Sequence, residues 1–173
     1  MFEKIRKMKN QKGFTLVELI VVLVILAILA AMLVPALTGY IDKANDQKVV
    51  ATTRQVVMAA QTVVSEAYGK GTLKNATVTI TNGADKADPN DDTNITGEAI
   101  VKLAEVGVWN APAAGATTAT GSYALKNGIE SIVINYDKSN GQVTSLVLTQ
   151  NSKKCTYTKG STAGQYGEYK IGD

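Results

Sequence analysis

The chain of 173 residues carries 18 basic and 15 acidic residues, no histidine and one cysteine. Without histidine there is no Ser-His-Asp arrangement and no His-dependent acid–base work. A lone Cys155 closes no internal disulfide and makes no Cys/His zinc site.

The net charge of +3 is unevenly placed. Lys4, Arg6, Lys7, Lys9 and Lys12 crowd residues 1–13 against one acid, Glu3, and without that segment 13 bases and 14 acids remain. The basic balance therefore belongs to the N-terminus. No later Lys/Arg cluster with interleaved aromatics marks a nucleic-acid face, and nucleic acid as a partner stays open. A short basic segment ahead of an apolar run stays on the cytoplasmic side of a membrane. Phe14 to Leu37 is such a run, and as a helix its 24 residues rise about 36 Å. A bilayer's hydrocarbon core is about 30 Å thick.

Glu18 is the only charge between Lys12 and Asp42. A carboxylate in hydrocarbon costs on the order of 3 kcal/mol, and such charges usually have a partner. No Lys, Arg or His lies within the segment to serve. A cut between Gly13 and Phe14 would make one, a free amine on Phe14 four residues before Glu18. Gly13 has no side chain, which opens its carbonyl to a protease.

The run Lys12-Gly13-Phe14-Thr15-Leu16-Val17-Glu18-Leu19 resembles the class III leader and N-terminal signature of type IV pilins and pseudopilins. The resemblance covers roughly residues 8–68. It implies a membrane aspartyl prepilin peptidase that cuts between Gly13 and Phe14 and N-methylates Phe14. It also implies polymerisation of the mature subunit into a helical homo-oligomer by the pilus assembly machinery, with Glu18 of one copy meeting the Phe14 amine of a neighbour. Pro35 matches the family's helix-kinking proline.

Three other readings use the same residues. An ordinary secretory signal would be cut after Val34-Pro35-Ala36, but the apolar run exceeds the usual length of about 7–15 residues and leaves Glu18 unexplained. A single-span anchor for an enzyme or binding domain would stay uncut. A major pseudopilin of a type II secretion or DNA-uptake machine would share the N-terminus and build only a short fibre.

Along the chain, the pattern predicts one helix over residues 14–68. Its first half is apolar all round, as in a membrane. Pro35 removes a backbone donor and predicts a kink. In the second half Val49, Thr53, Val56, Val57, Ala60, Val63, Val64 and Ala67 recur at helical spacing and form one stripe to be covered. Gly69-Lys70-Gly71 stops the helix.

Beyond it, residues 76–80 alternate as a strand, and Asn82 to Asn94 reads as a polar loop. Thr96 caps a short helix from Gly97 to Val106. Trp109 reads as a core anchor, and residues 110–121 as an exposed loop. Residues 131–136 and 142–149 pair as a hairpin across Asn140-Gly141. Residues 155–158 and 168–171 are the last strands, with Cys155 half-buried on the first.

The fold class is thus α+β, a long helix packed on a small antiparallel sheet. The expected divisions are a cleaved leader at 1–13, a membrane and assembly helix at 14–37, an amphipathic helix at 38–68 and a globular head at 69–173. Asp88, Asn90, Asp92 and Asn94 alternate like calcium ligands, yet Thr93 replaces the required Gly and Ala99 the required Glu. A solvated loop without metal is the expectation there, with calcium binding, as in some pseudopilins of secretion systems that resemble this layout, as the alternative; no cofactor is expected. Asn75-Ala76-Thr77 and Asn94-Ile95-Thr96 match the glycosylation acceptor pattern. Nothing in the head points to catalysis. The expected function is that of a structural subunit, membrane-held as a precursor and then extracellular.

Overall fold

The structure, a computed structural model, describes residues 13–73, 76–84, 97–110, 122–162 and 167–172. The chain divides after Ala44 into two compact units. Helix α1 (Leu16–Gly69) runs from the first into the second. In the first unit every described side chain is exposed, which leaves Leu16 to Ile41 as an apolar surface without cover. Pro35 lies inside this helix. It has no N–H to offer the preceding turn, and Thr38 Oγ1 donates to its carbonyl at 2.9 Å.

The second unit is an α+β layer. Nine residues of α1 are buried, the predicted stripe plus Ala59. They are Val, Ala and Thr, short enough to bring the helix backbone close to its cover. Thr53 is fully buried, and its hydroxyl donates to Val49 O at 2.8 Å, so the stripe buries no unpaired donor there. The cover is a five-stranded antiparallel sheet in the order β1 (Thr77–Thr81), β5 (Ile129–Asp137), β6 (Gln142–Gln150), β7 (Lys153–Thr158) and β8 (Glu168–Gly172). Alternate residues point inward, and Ile80, Ile132, Ile134, Leu146, Leu148 and Cys155 are fully buried. Burying each large aliphatic side chain stabilises the fold by about 1.5–3 kcal/mol. Helix α2 (Gly97–Leu103) closes the core with Ile100 and Val101.

A second sheet in the order β2 (Gly83–Ala84), β4 (Ser122–Leu125) and β3 (Gly107–Asn110) was not expected: β2 falls in the loop expected at 82–94, and β3 and β4 flank the loop expected at 110–121 and meet it only at Asn110. Its strands are two to four residues long, too short for a period-2 pattern to register. Trp109 is partly buried against the core and lies 4.7 Å from the Tyr123 ring. The helix expected to reach Val106 ends at Leu103. Glu105 adopts φ 55°, and Glu105 N–H and Val106 N–H donate to Lys102 O and Val101 O, both at 3.1 Å. That is a Schellman close made without glycine. The close of α1 uses Gly71, at φ 70°, with Gly71 N–H on Tyr68 O and Thr72 N–H on Ala67 O.

Turn chemistry fixes the hairpins. Asn151 and Ser152 both have positive φ and join β6 to β7 in two residues, so β7 begins at Lys153, earlier than expected. Cys155 is correspondingly fully buried and not half-buried. Asn140-Gly141 does not form a two-residue turn. Only Gly141 is left-handed, at φ 66°, at the end of a four-residue loop. Asp137 organises that loop: its carboxylate accepts from Ser139 N–H at 2.8 Å, Ser139 Oγ at 2.7 Å and Asn140 Nδ2 at 2.8 Å. These bonds, those from Ser139 first, hold the Asp137 carboxyl below the usual aspartate range.

Gln61 ties this hairpin to α1. Its Nε2 donates to Gly141 O at 2.8 Å, and its Oε1 accepts from Val143 N–H at 2.8 Å. Lys153 Nζ meets Asp46 Oδ1 at 2.5 Å nearer the start of the unit.

Gln61→Ala leaves the partly buried Val143 N–H unpaired and Gly141 O with only the Ser65 hydroxyl at 3.5 Å, and it should cost about 1–3 kcal/mol, read from denaturant unfolding of the detergent-solubilised chain. Asp137→Ala should lose stability in a pH-dependent way. A carboxyl lowered on folding stabilises above its unfolded value, and that contribution fades as pH falls through the folded value. The gap between parent and Asp137→Ala should be full at neutral pH and close in acid below the ordinary carboxylate range. A gap independent of pH would contradict this.

Candidate functional site

The site expected from the sequence begins where the helix does. Gly13, Phe14 and Thr15 are non-helical, and α1 starts at Leu16. A Cβ placed on Gly13 would meet nothing within 4 Å, and Phe14 is 80% exposed. The Gly13–Phe14 bond thus lies in open, non-helical backbone, the form a protease active site can take up.

Thr15 and Glu18 set the helix start by a reciprocal cap. Glu18 N–H donates to Thr15 Oγ1 at 3.2 Å. In return Thr15 N–H and Thr15 Oγ1 donate to Glu18 Oε2 at 3.0 and 2.8 Å. Thr15 is the N-cap and Glu18 the third helical residue, a capping box that satisfies two otherwise orphaned donors. A carboxylate in the first turn also faces the positive end of the helix dipole. The Thr-x-x-Glu spacing stood in the sequence and announces this motif. Among the described residues the partners of Glu18 are hydrogen-bond donors rather than a charge.

Pro35 lies far along α1 from this group, and among the described residues the structure brings it to no other expected site residue. Asp88, Asn90, Asp92, Asn94 and Thr96 lie outside the described residues, as do both asparagines of the glycosylation triplets. Among the described residues no group of three or more His, Cys, Asp or Glu is placed to hold a metal ion.

Residues 8–34 match the family model of the prokaryotic N-terminal methylation motif. The match supports a type IV pilin-like protein. It spans the Gly13–Phe14 bond, the capping box and most of the apolar segment. It points to a prepilin-type substrate with a membrane-anchored precursor, processed by prepilin peptidase. No curated protein and no solved structure gives a match to the chain.

Thr15→Val keeps the shape of the side chain and removes both hydroxyl bonds of the cap. Loss of an N-cap costs about 1 kcal/mol. In micelles the Glu18 amide should therefore exchange about fivefold faster, and Thr15→Ser should restore the parent rate. Unchanged exchange in Thr15→Val would show that the cap is not formed.

Proposed function

We propose that the chain is a pilin, the structural subunit of an extracellular type IV pilus. The observation that carries the reading is the methylation motif at residues 8–34, on a helix whose apolar first half has no cover of its own. In this reading residues 1–13 are a leader that keeps the N-terminus cytoplasmic. Prepilin peptidase cuts between Gly13 and Phe14 and methylates the new Phe14 amine. The helix over 14–37 holds the precursor in the membrane and afterwards packs against the same helix of other copies. Residues 38–68 and 69–173 form the head.

Glu18 is the assembly residue. Both Thr15 bonds fall on Oε2, and among the described residues no partner occupies Oε1. The carboxylate can keep its cap and still accept a neighbour's ammonium. Pairing there neutralises two charges in a bundle with little water, where a single unpaired charge costs about 3–5 kcal/mol. It also fixes the axial step between copies. Pro35 softens the helix by one missing hydrogen bond, which helps it adapt from bilayer to bundle.

Mass spectrometry of the surface protein should find a mature chain that starts at methylated Phe14, and Gly13→Arg should leave a full-length membrane precursor. A start at Leu37 would refute the reading. Glu18→Ala should insert and be cut normally, yet yield less than about a tenth of the parent's filaments, in line with the cost of the unpaired amine. Normal piliation by cells whose every subunit carries Glu18→Ala would remove Glu18 from assembly. Fibres that never extend beyond the cell envelope would make the chain a pseudopilin.

A further inference from the structure

Three Asn-Gly steps occur in the chain, at Asn82, Asn127 and Asn140. Such a step can lose ammonia unaided. The glycine amide nitrogen attacks the side-chain carbonyl carbon of the asparagine, and glycine has no side chain to hinder the approach. The structure sorts the three by how firmly it holds the reacting atoms.

At Asn140 all of them are engaged. Asn140 Nδ2 donates to Asp137 Oδ2 at 2.8 Å, Asn140 Oδ1 accepts from Gln142 N–H at 3.1 Å, and Gly141 N–H donates to Asp137 O at 2.9 Å. At Asn82, Oδ1 accepts from Leu125 N–H at 3.0 Å, and Gly83 is paired in β2 with Tyr123. At Asn127, among the described residues, neither the side-chain amide nor Gly128 N–H has a hydrogen-bond partner, and both residues are exposed.

The turn itself imposes this dipeptide. Lys126 to Ile129 joins β4 to β5, closed by Ile129 N–H on Lys126 O at 3.1 Å, with φ 58° at Asn127 and 76° at Gly128. Two positive φ values inside such a bond are the type I′ pattern, which favours Asn followed by Gly. A Cβ on Gly128 would fall 1.8 Å from Asn151 Oδ1, so the second place admits only glycine. One bond opposes reaction. The fully buried Gln150 donates from Nε2 to Asn127 O at 2.8 Å. Turning that carbonyl so that Gly128 N can face the side chain breaks the bond. Gln150 Oε1 has no partner among the described residues, so the reaction leaves the whole Gln150 amide unsatisfied and detaches the turn from the core.

We propose that Asn127 is a site of spontaneous deamidation, and that Gln150 sets its rate. Hydroxide removes the Gly128 amide proton. The nitrogen bonds to Asn127 Cγ, the Cγ–Nδ2 bond breaks, and ammonia leaves with a proton from water. Water then opens the cyclic imide at either carbonyl, which gives an aspartyl or an isoaspartyl residue at position 127. The neutral turn becomes anionic, and the isoaspartyl form also lengthens the main chain by one carbon within a turn that has no slack.

The test holds the detergent-solubilised full chain at mildly alkaline pH. One digest follows all three sites by peptide mass and by labelling with isoaspartyl methyltransferase. Each hydrogen bond that has to open slows attack roughly fivefold, so Asn127 should convert at least about tenfold faster than Asn82 or Asn140. In denaturant the three rates should converge, since the dipeptide is the same. Gln150→Leu, which buries no amide, should speed Asn127 about fivefold, and Asp137→Ala should do the same for Asn140 and leave Asn127 unchanged. A variant that speeds all three sites alike has unfolded, and the parent's ranking and the other variant then decide. Conversion at Asn82 or Asn140 as fast as at Asn127 would overturn the proposal. So would a ranking that persists in denaturant, or a folded Gln150→Leu chain that converts Asn127 at the parent rate.

Discussion

The exposed apolar half of α1 is the constraint from which the rest follows. From Leu16 to Ile41 the helix is apolar nearly all round and shows its side chains on every side. A soluble helix would hide one face and charge the other. Apart from the one carbonyl that Pro35 leaves without its helical donor, backbone groups here are satisfied along the helix itself, which is what hydrocarbon demands. Water is the one solvent this segment cannot tolerate. It has to lie in lipid or against other apolar helices, and the two environments differ little for a Leu or Val side chain. Transfer from one to the other therefore changes little hydrophobic free energy, and polar interactions decide where the helix rests.

That gives the capping box weight beyond its position. Glu18 is the one strongly polar group in the span, and Thr15 already gives one of its oxygens two hydrogen bonds. The cap lowers the cost of the charge at the membrane surface without removing it. A charge fully satisfied within its own chain would have no reason to leave, and a bare one would hardly insert. A carboxylate with one oxygen held and the other open is tolerable in the precursor and better satisfied beside an ammonium.

The helical stripe, the sheet and the start of α1 were legible from the sequence because each rests on a long period or a specific spacing. The nine buried residues of α1 follow the 3.6-residue pattern over five turns, and β5 and β6 alternate from Ser131 to Asp137 and from Ser145 to Gln150. Short elements were not legible. Strands β2, β3 and β4 are set by pairing with one another and by Asn82, whose Oδ1 accepts from Leu125 N–H at 3.0 Å, and no local pattern encodes that. The end of α2 rests on a left-handed Glu105, a conformation propensity assigns to Gly or Asn. The two-residue turn at Asn151-Ser152 lacks the glycine that would mark it, so β7 was read too short and Cys155 too exposed. The Thr15–Glu18 cap is encoded by the Thr-x-x-Glu spacing, although a charge in an apolar run points first to a cation and only then to a hydroxyl three residues before it.

The same helix serves two environments, and the join between them has to carry force in any filament. No disulfide fastens the head, since Cys155 is the only cysteine and is buried unpaired in β7. What fastens it is distributed. The Val/Ala stripe sits against Ile80, Ile132, Leu146 and Leu148, and small side chains on one side with large ones on the other allow dense packing. At one end of the stripe Lys153 meets Asp46, and toward the other Gln61 grips the β5–β6 turn through two backbone groups. A pull on α1 loads these contacts together rather than one after another, because they lie on a single rigid helix paired with a continuous sheet. Cooperative loading of many modest interactions resists rupture without a covalent bond.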